Sequence, residues 1–289
     1  MKVLVCPDIH QDLMTMQYCI NQLRDCEVDK VIFLGDVIDA WSSKEWYDDK
    51  LHSPKVVLSQ LKTWKDEFEE KLSICVGNHD WSYMRLFGLR MDALVNATSV
   101  SGHQHQHAKE ISKLFDEVDD MFQLVENIDG IVYSHAGFTN KWLKEYIISK
   151  MYNGKRPKNF SKTYNQFLDD SKALTNLLNE DFKSKQFPRH LLDHRSYSPS
   201  GDDPMEGPLW VRPWSLVNDS AFPVQIVGHT EFDCGQILTN KKKTHTVLII
   251  DSPAHSLCLT IENGNINDLD SIVSMHRVSY DDINLRGWR

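Results

Sequence analysis

The chain has 289 residues, 41% hydrophobic and 25% charged, a globular balance long enough to bury a substantial core without disulfides. A net charge of −9 and a pI near 5.8 exclude an extended nucleic-acid surface, which carries a basic excess. A phosphorylated substrate stays open, because bound cations would invert the local field. In chain order, KVLVC (2–6) is the first short apolar run and predicts a strand. Residues 12–25 follow with Leu13, Met16, Ile20 and Leu23 near a helical period. KVIFLG (30–35) predicts the second strand. Residues 54–71 predict a helix opened by Pro54, with Val57, Leu58, Leu61, Trp64 and Phe68 on one side. LSICVG (72–77) predicts the third strand, and 108–122 a helix carrying Ile111, Leu114, Phe115, Val118 and Phe122. GIVYSH (130–135) predicts another strand, followed by helices over about 139–150 and 161–182.

PVQIVGH (223–229), HTVLIID (245–251) and SLCLTIE (256–262) complete the strands. The last two are separated by SPAH and predict a hairpin. Strands alternating with helices in the first half indicate βα units and an α/β fold, its first strands buried on both faces. The stretch 150–222 is polar, rich in Lys, Asn, Ser and Pro. It is expected as an insertion or lid on a single domain spanning 1–289.

The ends of the strands share a chemistry. Asp8 and His10 follow the first run, Asp36 and Asp39 the second, and Asn78, His79 and Asp80 the third. His135 and His229 end the next two. Open α/β sheets place their crevices at these carboxyl ends. Asp8, His10, Asp36, Asn78, His135 and His229 offer oxygen and imidazole donors to divalent cations. Six donors from five segments suit a two-metal site with Asp36 shared. Asp39 then orients a histidine, with His79 as the candidate. Gly35, Gly77 and Gly228 each precede a donor, where close backbone approach favours glycine.

Taken together, DIH (8–10), GDVID (35–39), GNHD (77–80), SHAG (134–137) and GHT (228–230) resemble the motifs of the calcineurin-like metallophosphoesterase superfamily. The style is that of its phosphoprotein-phosphatase branch and the bacterial and phage relatives. The resemblance implies an αββα sandwich of two mixed β-sheets flanked by helices. It implies one metal on Asp8, His10 and Asp36, and a second on Asp36, Asn78, His135 and His229. Manganese is the first expectation, with iron, zinc, nickel or magnesium as alternatives. It further implies that His79 protonates the leaving oxygen while Asp39 holds its ring, and that a hydroxide bridging the metals attacks the phosphorus. GPLWVRP (207–213) resembles the segment that supplies a phosphate-gripping arginine, which makes Arg212 the substrate-binding candidate. Two departures stand out. Ala40 and Trp41 follow Asp39 where that branch carries arginine, leaving Arg85, Arg90 or Arg195 as the candidate replacement. Glu231 takes the place of a second histidine found in many other members, and is kept as an outside ligand.

The implied activity is phosphomonoester hydrolysis, on phosphoserine or phosphothreonine in proteins. A nucleotide or nucleic-acid-end phosphohydrolase is the alternative, and a non-catalytic scaffold the third reading. Other features read as structural. The alternating His103, His105 and His107 read as a polar loop rather than an extra metal site, His190 and His194 as solvated or structural histidines, and NKKKTH (240–245) as a solvated hairpin end. Trp41, Trp46 and Trp81 lie near the motifs in sequence; packing accounts for most tryptophans, with one in the substrate cleft as the sharper option. The cysteines, Cys6, Cys19, Cys26, Cys75, Cys234 and Cys258, include no CxxC pair. Those at 6, 75 and 258 lie in apolar runs and read as buried free thiols, which points to the reducing cytoplasm. The apolar run before Pro7 is too short for a signal peptide, so neither a signal peptide nor a membrane partner is expected.

Overall fold

A computed structural model describes residues 1–40, 53–84, 100, 103–104, 106–192, 202–232, 235–251, 257–262 and 273–277. In chain order its strands are β1 (Lys2–Cys6), β2 (Lys30–Phe33), β3 (Leu72–Cys75), β4 (Phe122–Gln123), β5 (Glu126–Ile128) and β6 (Ile131–Ser134). They continue as β7 (Val224–Val227), β8 (Gln236–Thr239), β9 (Thr246–Ile249), β10 (Leu257–Glu262) and β11 (Val273–Arg277). One sheet has the order β11-β10-β1-β2-β3-β4, the other β5-β6-β7-β9-β8. β1 to β4 run parallel, as βα units require, and β10 and β11 close that sheet antiparallel. In the second sheet β6, β7 and β9 are parallel, with antiparallel edges.

Side-chain alternation explains how the sheets stack. Val3 and Val5 on β1 join Ile32, Ile226 and Leu248 in a core between the two sheets. Leu4 and Cys6 point the other way, into a core shared with helix α1 (Leu13–Arg24) and helix α2 (Pro54–Phe68). Across the second sheet, Val227, Val247 and Ile249 pack with Leu216 and Val217 of a helix at Pro213–Asn218. The layers are therefore helix, sheet, sheet, helix: the αββα sandwich. Caps set the first helix ends. Asp12 accepts from the Met14 and Thr15 amides, and Ser53 from Val56 ahead of Pro54.

Three expectations need correction. The last two apolar runs form no hairpin: β9 lies between β7 and β8, while β10 pairs with β1 in the other sheet. The hairpin is β8–β9, with the basic turn 240–245 at its exposed tip. The helix expected over 161–182 is two helices, Phe160–Asp169 and Ser171–Lys183. Asp170 breaks it by capping the second, accepting from the Ala173 amide at 3.0 Å. The helix expected over 108–122 ends at Asp116, because Phe122 is taken by strand pairing with Ile74.

Phe160, Tyr164, Leu174 and Leu178, all within 150–222, join the same core cluster as α1. Cys6, Cys19, Cys75 and Cys258 are free and buried, and Cys26 is free and exposed; Cys234 lies outside the described residues. Among the described residues, no helix is long and apolar enough to cross a membrane.

Candidate metal centre

β1, β2 and β3 are parallel neighbours, so their carboxyl ends lie side by side. β6 and β7 do the same in the other sheet. Short backbone bonds tie the loops beyond them. The Ile9 and His10 amides donate to the Asp36 carbonyl at 3.1 and 2.7 Å, and the Gly228 amide donates to the His135 carbonyl at 2.8 Å. Several of these loop residues hold left-handed backbone without being glycine: His10 (φ 47°), Asp36 (φ 47°), Asp39 (φ 66°) and His229 (φ 64°). Such conformations are costly and cluster where the surrounding structure over-determines a functional geometry.

The donors gather in two sets that share Asp36. In the first, one ligand atom from each of Asp8, His10 and Asp36 lies within 4.8 Å of the others. In the second, Asn78 Oδ1 lies 2.7 Å from His135 Nε2 and 3.0 Å from His229 Nδ1. Those two ring nitrogens are 3.1 Å apart, and Asp36 Oδ2 is 3.6 Å from His135 Nε2. The far nitrogen of each ring faces a backbone carbonyl. His135 Nδ1 meets the Leu34 oxygen at 3.1 Å, His229 Nε2 the Trp210 oxygen at 3.2 Å, and His10 Nδ1 the Ile38 oxygen at 3.2 Å. Carbonyls only accept, so each fixes the proton on that far nitrogen and leaves the near one as a lone pair. Three lone pairs, from Asn78, His135 and His229, then converge with no proton between them. A cation held by these three groups would remove the repulsion.

Charge leads to the same conclusion. Burial pushes the Asp36 carboxyl well above its usual range, helped by Asp8 and Asp80. Burial does the same to Asp8, with Asp251 adding repulsion. Burial also pulls His10 down to about 3 and holds His135 and His229 well below the ordinary histidine value. Neutral imidazoles and carboxylates that lack counter-charge form a donor set that fits divalent cations.

Close packing leaves no room for side chains beside two of the acids. A Cβ on Gly77 would sit 2.0 Å from Asp36 Oδ1, and one on Gly228 would sit 2.2 Å from Asp8 Oδ1. The Asp36 Oδ1 also accepts the His79 amide at 2.8 Å, and Asp8 Oδ1 the His229 amide at 3.0 Å.

Behind Asp36, His79 Nδ1 lies 3.1 Å from Asp39 Oδ2, and its Nε2 lies 3.8 Å from Asp36 Oδ2. Arg212 Nη1 donates to the His229 carbonyl at 3.0 Å and to Thr230 Oγ1 at 3.2 Å, which sets it beside the second donor set. Glu231 is exposed and outside both sets. Arg85, Arg90, Arg195, Trp41, Trp46, His105 and His194 lie outside the described residues. Trp81 packs on Phe182, centroids 6.0 Å apart. His107 and His190 are exposed, and among the described residues neither they nor His103 join a metal-donor group.

Sequence reading gave Asp80 no role and missed the Trp210 carbonyl and Asp251. Asp80 accepts the Val37 amide at 3.0 Å and the Gly77 amide at 2.9 Å, stitching two loops together. The Trp210 carbonyl has no side-chain signal at all. Asp251 did have one: it is a further acid just beyond a strand end.

A model of the calcineurin-like phosphoesterase family matches residues 1–230. No curated protein matches the chain in sequence. Solved structures that resemble it include the cold-active protein-tyrosine phosphatase of a psychrophilic Shewanella species. That structure is 16% identical over 91% of this chain and 75% of its own, with a TM-score of 0.47. A metallophosphoesterase from Sphaerobacter thermophilus is 14% identical over 97% of this chain and 88% of its own, with a TM-score of 0.44.

Proposed function

Because the chain belongs to the calcineurin-like phosphoesterase family, it is a metal-dependent phosphoric ester hydrolase, and we propose that it is a phosphomonoesterase working with two cations. The observation that carries this reading is the convergence of bare lone pairs from Asn78, His135 and His229 beside the shared Asp36. Asp8, His10 and Asp36 would hold one cation; Asp36, Asn78, His135 and His229 would hold the other, with manganese as the expected metal. Bound there, the cations supply charge neutralisation for phosphoryl oxygens and lower the pKa of water.

The chain's own groups do the rest. The Leu34, Trp210 and Ile38 carbonyls keep three imidazoles in the tautomer that turns a lone pair inward. His79 protonates the leaving oxygen from Nε2, and Asp39 fixes its ring through Nδ1. Arg212, tied to the His229 loop, grips phosphate oxygens through its planar fork. The net charge of −9 favours phosphoserine or phosphothreonine in proteins over a nucleic-acid end. The free cysteines support a cytoplasmic setting.

The test is hydrolysis of phosphopeptides, diadenosine tetraphosphate and 5′-phosphorylated oligonucleotides, with manganese and with chelator. Phosphopeptides are expected to turn over fastest, and chelator to abolish the activity. Faster turnover of a nucleotide would overturn the substrate assignment, and chelator-resistant hydrolysis the metal assignment.

A further inference from the structure

Asp39 is fully buried and held from several sides. Its Oδ2 faces His79 Nδ1 at 3.1 Å. Its other oxygen, Oδ1, accepts from the Tyr83 hydroxyl at 2.8 Å and from Gln104 Nε2 at 3.1 Å. The Tyr83 oxygen in turn accepts the Gln104 amide at 2.7 Å. Gln104 Nε2 also reaches Gln11 Oε1 at 3.2 Å, and that oxygen accepts the Asp39 amide at 3.0 Å. The His103 ring lies flat on Tyr83, with centroids 4.3 Å apart and planes 6° apart. Tyr83 is 0% exposed and Gln104 6%.

We propose that Tyr83 and Gln104 are positioning residues that lock the Asp39 carboxylate so that His79 presents Nε2 to the leaving oxygen. This rests on the reading of His79 as proton donor. A carboxylate with one partner can turn about its terminal torsion, which is broad. Two donors on Oδ1 fix its plane and turn Oδ2 toward the imidazole. Hydrogen bonds to an ionised acceptor are about twice as strong as neutral ones, so this clamp is stiff. Both donors are neutral, so neither of them draws the carboxylate's charge away from the ring. The fold supplies them economically. Tyr83 lies four residues after His79 on the helix Asn78–Met84, so one helix carries both the acid and its support. Gln104 comes from the histidine-rich stretch at 102–107, whose His103 seats the tyrosine ring.

Tyr83→Phe keeps the ring and its stack and removes one donor. Gln104→Met removes the other and serves if the first variant fails to fold. Each is assayed on an alkyl phosphate and on p-nitrophenyl phosphate, whose leaving group needs little protonation. Each is also combined with His79→Asn, and metal content is measured throughout. Tyr83→Phe is expected to lower kcat on the alkyl ester about tenfold and on the nitrophenyl ester less than about twofold, with KM and metal content unchanged. In the His79→Asn background it is expected to cost nothing further, because the residues act as one unit. Equal losses on both esters would overturn the proposal. So would an unchanged alkyl rate, or a full loss persisting in the His79→Asn background. If His79→Asn alone loses equally on both esters, the acid reading itself falls, and that result is read with Tyr83 intact.

Discussion

Replacing Gly228 by alanine tests the crowding at the first donor set. Gly228 is not among the left-handed glycines, so the backbone accepts alanine without strain. The new Cβ would stand 2.2 Å from Asp8 Oδ1, with Asp8 Cγ at 3.4 Å and nothing else closer. To reach ordinary contact the oxygen must retreat by about 1 Å. That motion breaks its 3.0 Å bond from the His229 amide and displaces a proposed metal donor. A hydrogen bond to a charged group is worth about 2 kcal/mol, which at this chain length lowers the melting temperature by roughly 3 °C. A displacement of about 1 Å at a reacting centre costs roughly a hundredfold in rate. The assay is manganese-dependent hydrolysis of p-nitrophenyl phosphate, beside a thermal melt and elemental analysis. A folded protein with metal content reduced and turnover down by that factor is the expected outcome. Full metal content with a rate within about threefold of the parent would refute the reasoning.

Asp36→Asn should empty both donor sets together, because that side chain is common to them. Elemental analysis should find the manganese lost from the folded variant, and retention of one full equivalent would argue against sharing. Asp80→Ala leaves the Val37 and Gly77 amides without their buried acceptor. At about 1–3 kcal/mol for each unsatisfied group, the melt should fall by roughly 3–10 °C. A shift under roughly 3 °C would mean that the two loops are held by something else.

The loops that carry the proposed metal donors were legible in sequence because their signal is local. A strand run, a glycine and a donor repeat at residues 34–36, 76–78 and 227–229, and chemistry follows directly from that order. What escaped was non-local. Whether β9 joins β10 or slides between β7 and β8 depends on which sheet has an open partner, and the linking SPAH looks like a turn in either case. The split at Asp170 was a capping signal hidden inside a continuous helical period. Tyr83 and Gln104 meet Asp39 from 44 and 65 residues away and carry no motif of their own. The Trp210 carbonyl acts through backbone, which residue identity does not encode.

Anomalous scattering from crystals soaked in manganese addresses the central claim most directly. Two peaks are expected, one beside Asp8 and His10 and one among Asn78, His135 and His229, with an oxygen of Asp36 touching both. A single peak, or none within reach of Asp36, would contradict the two-cation account.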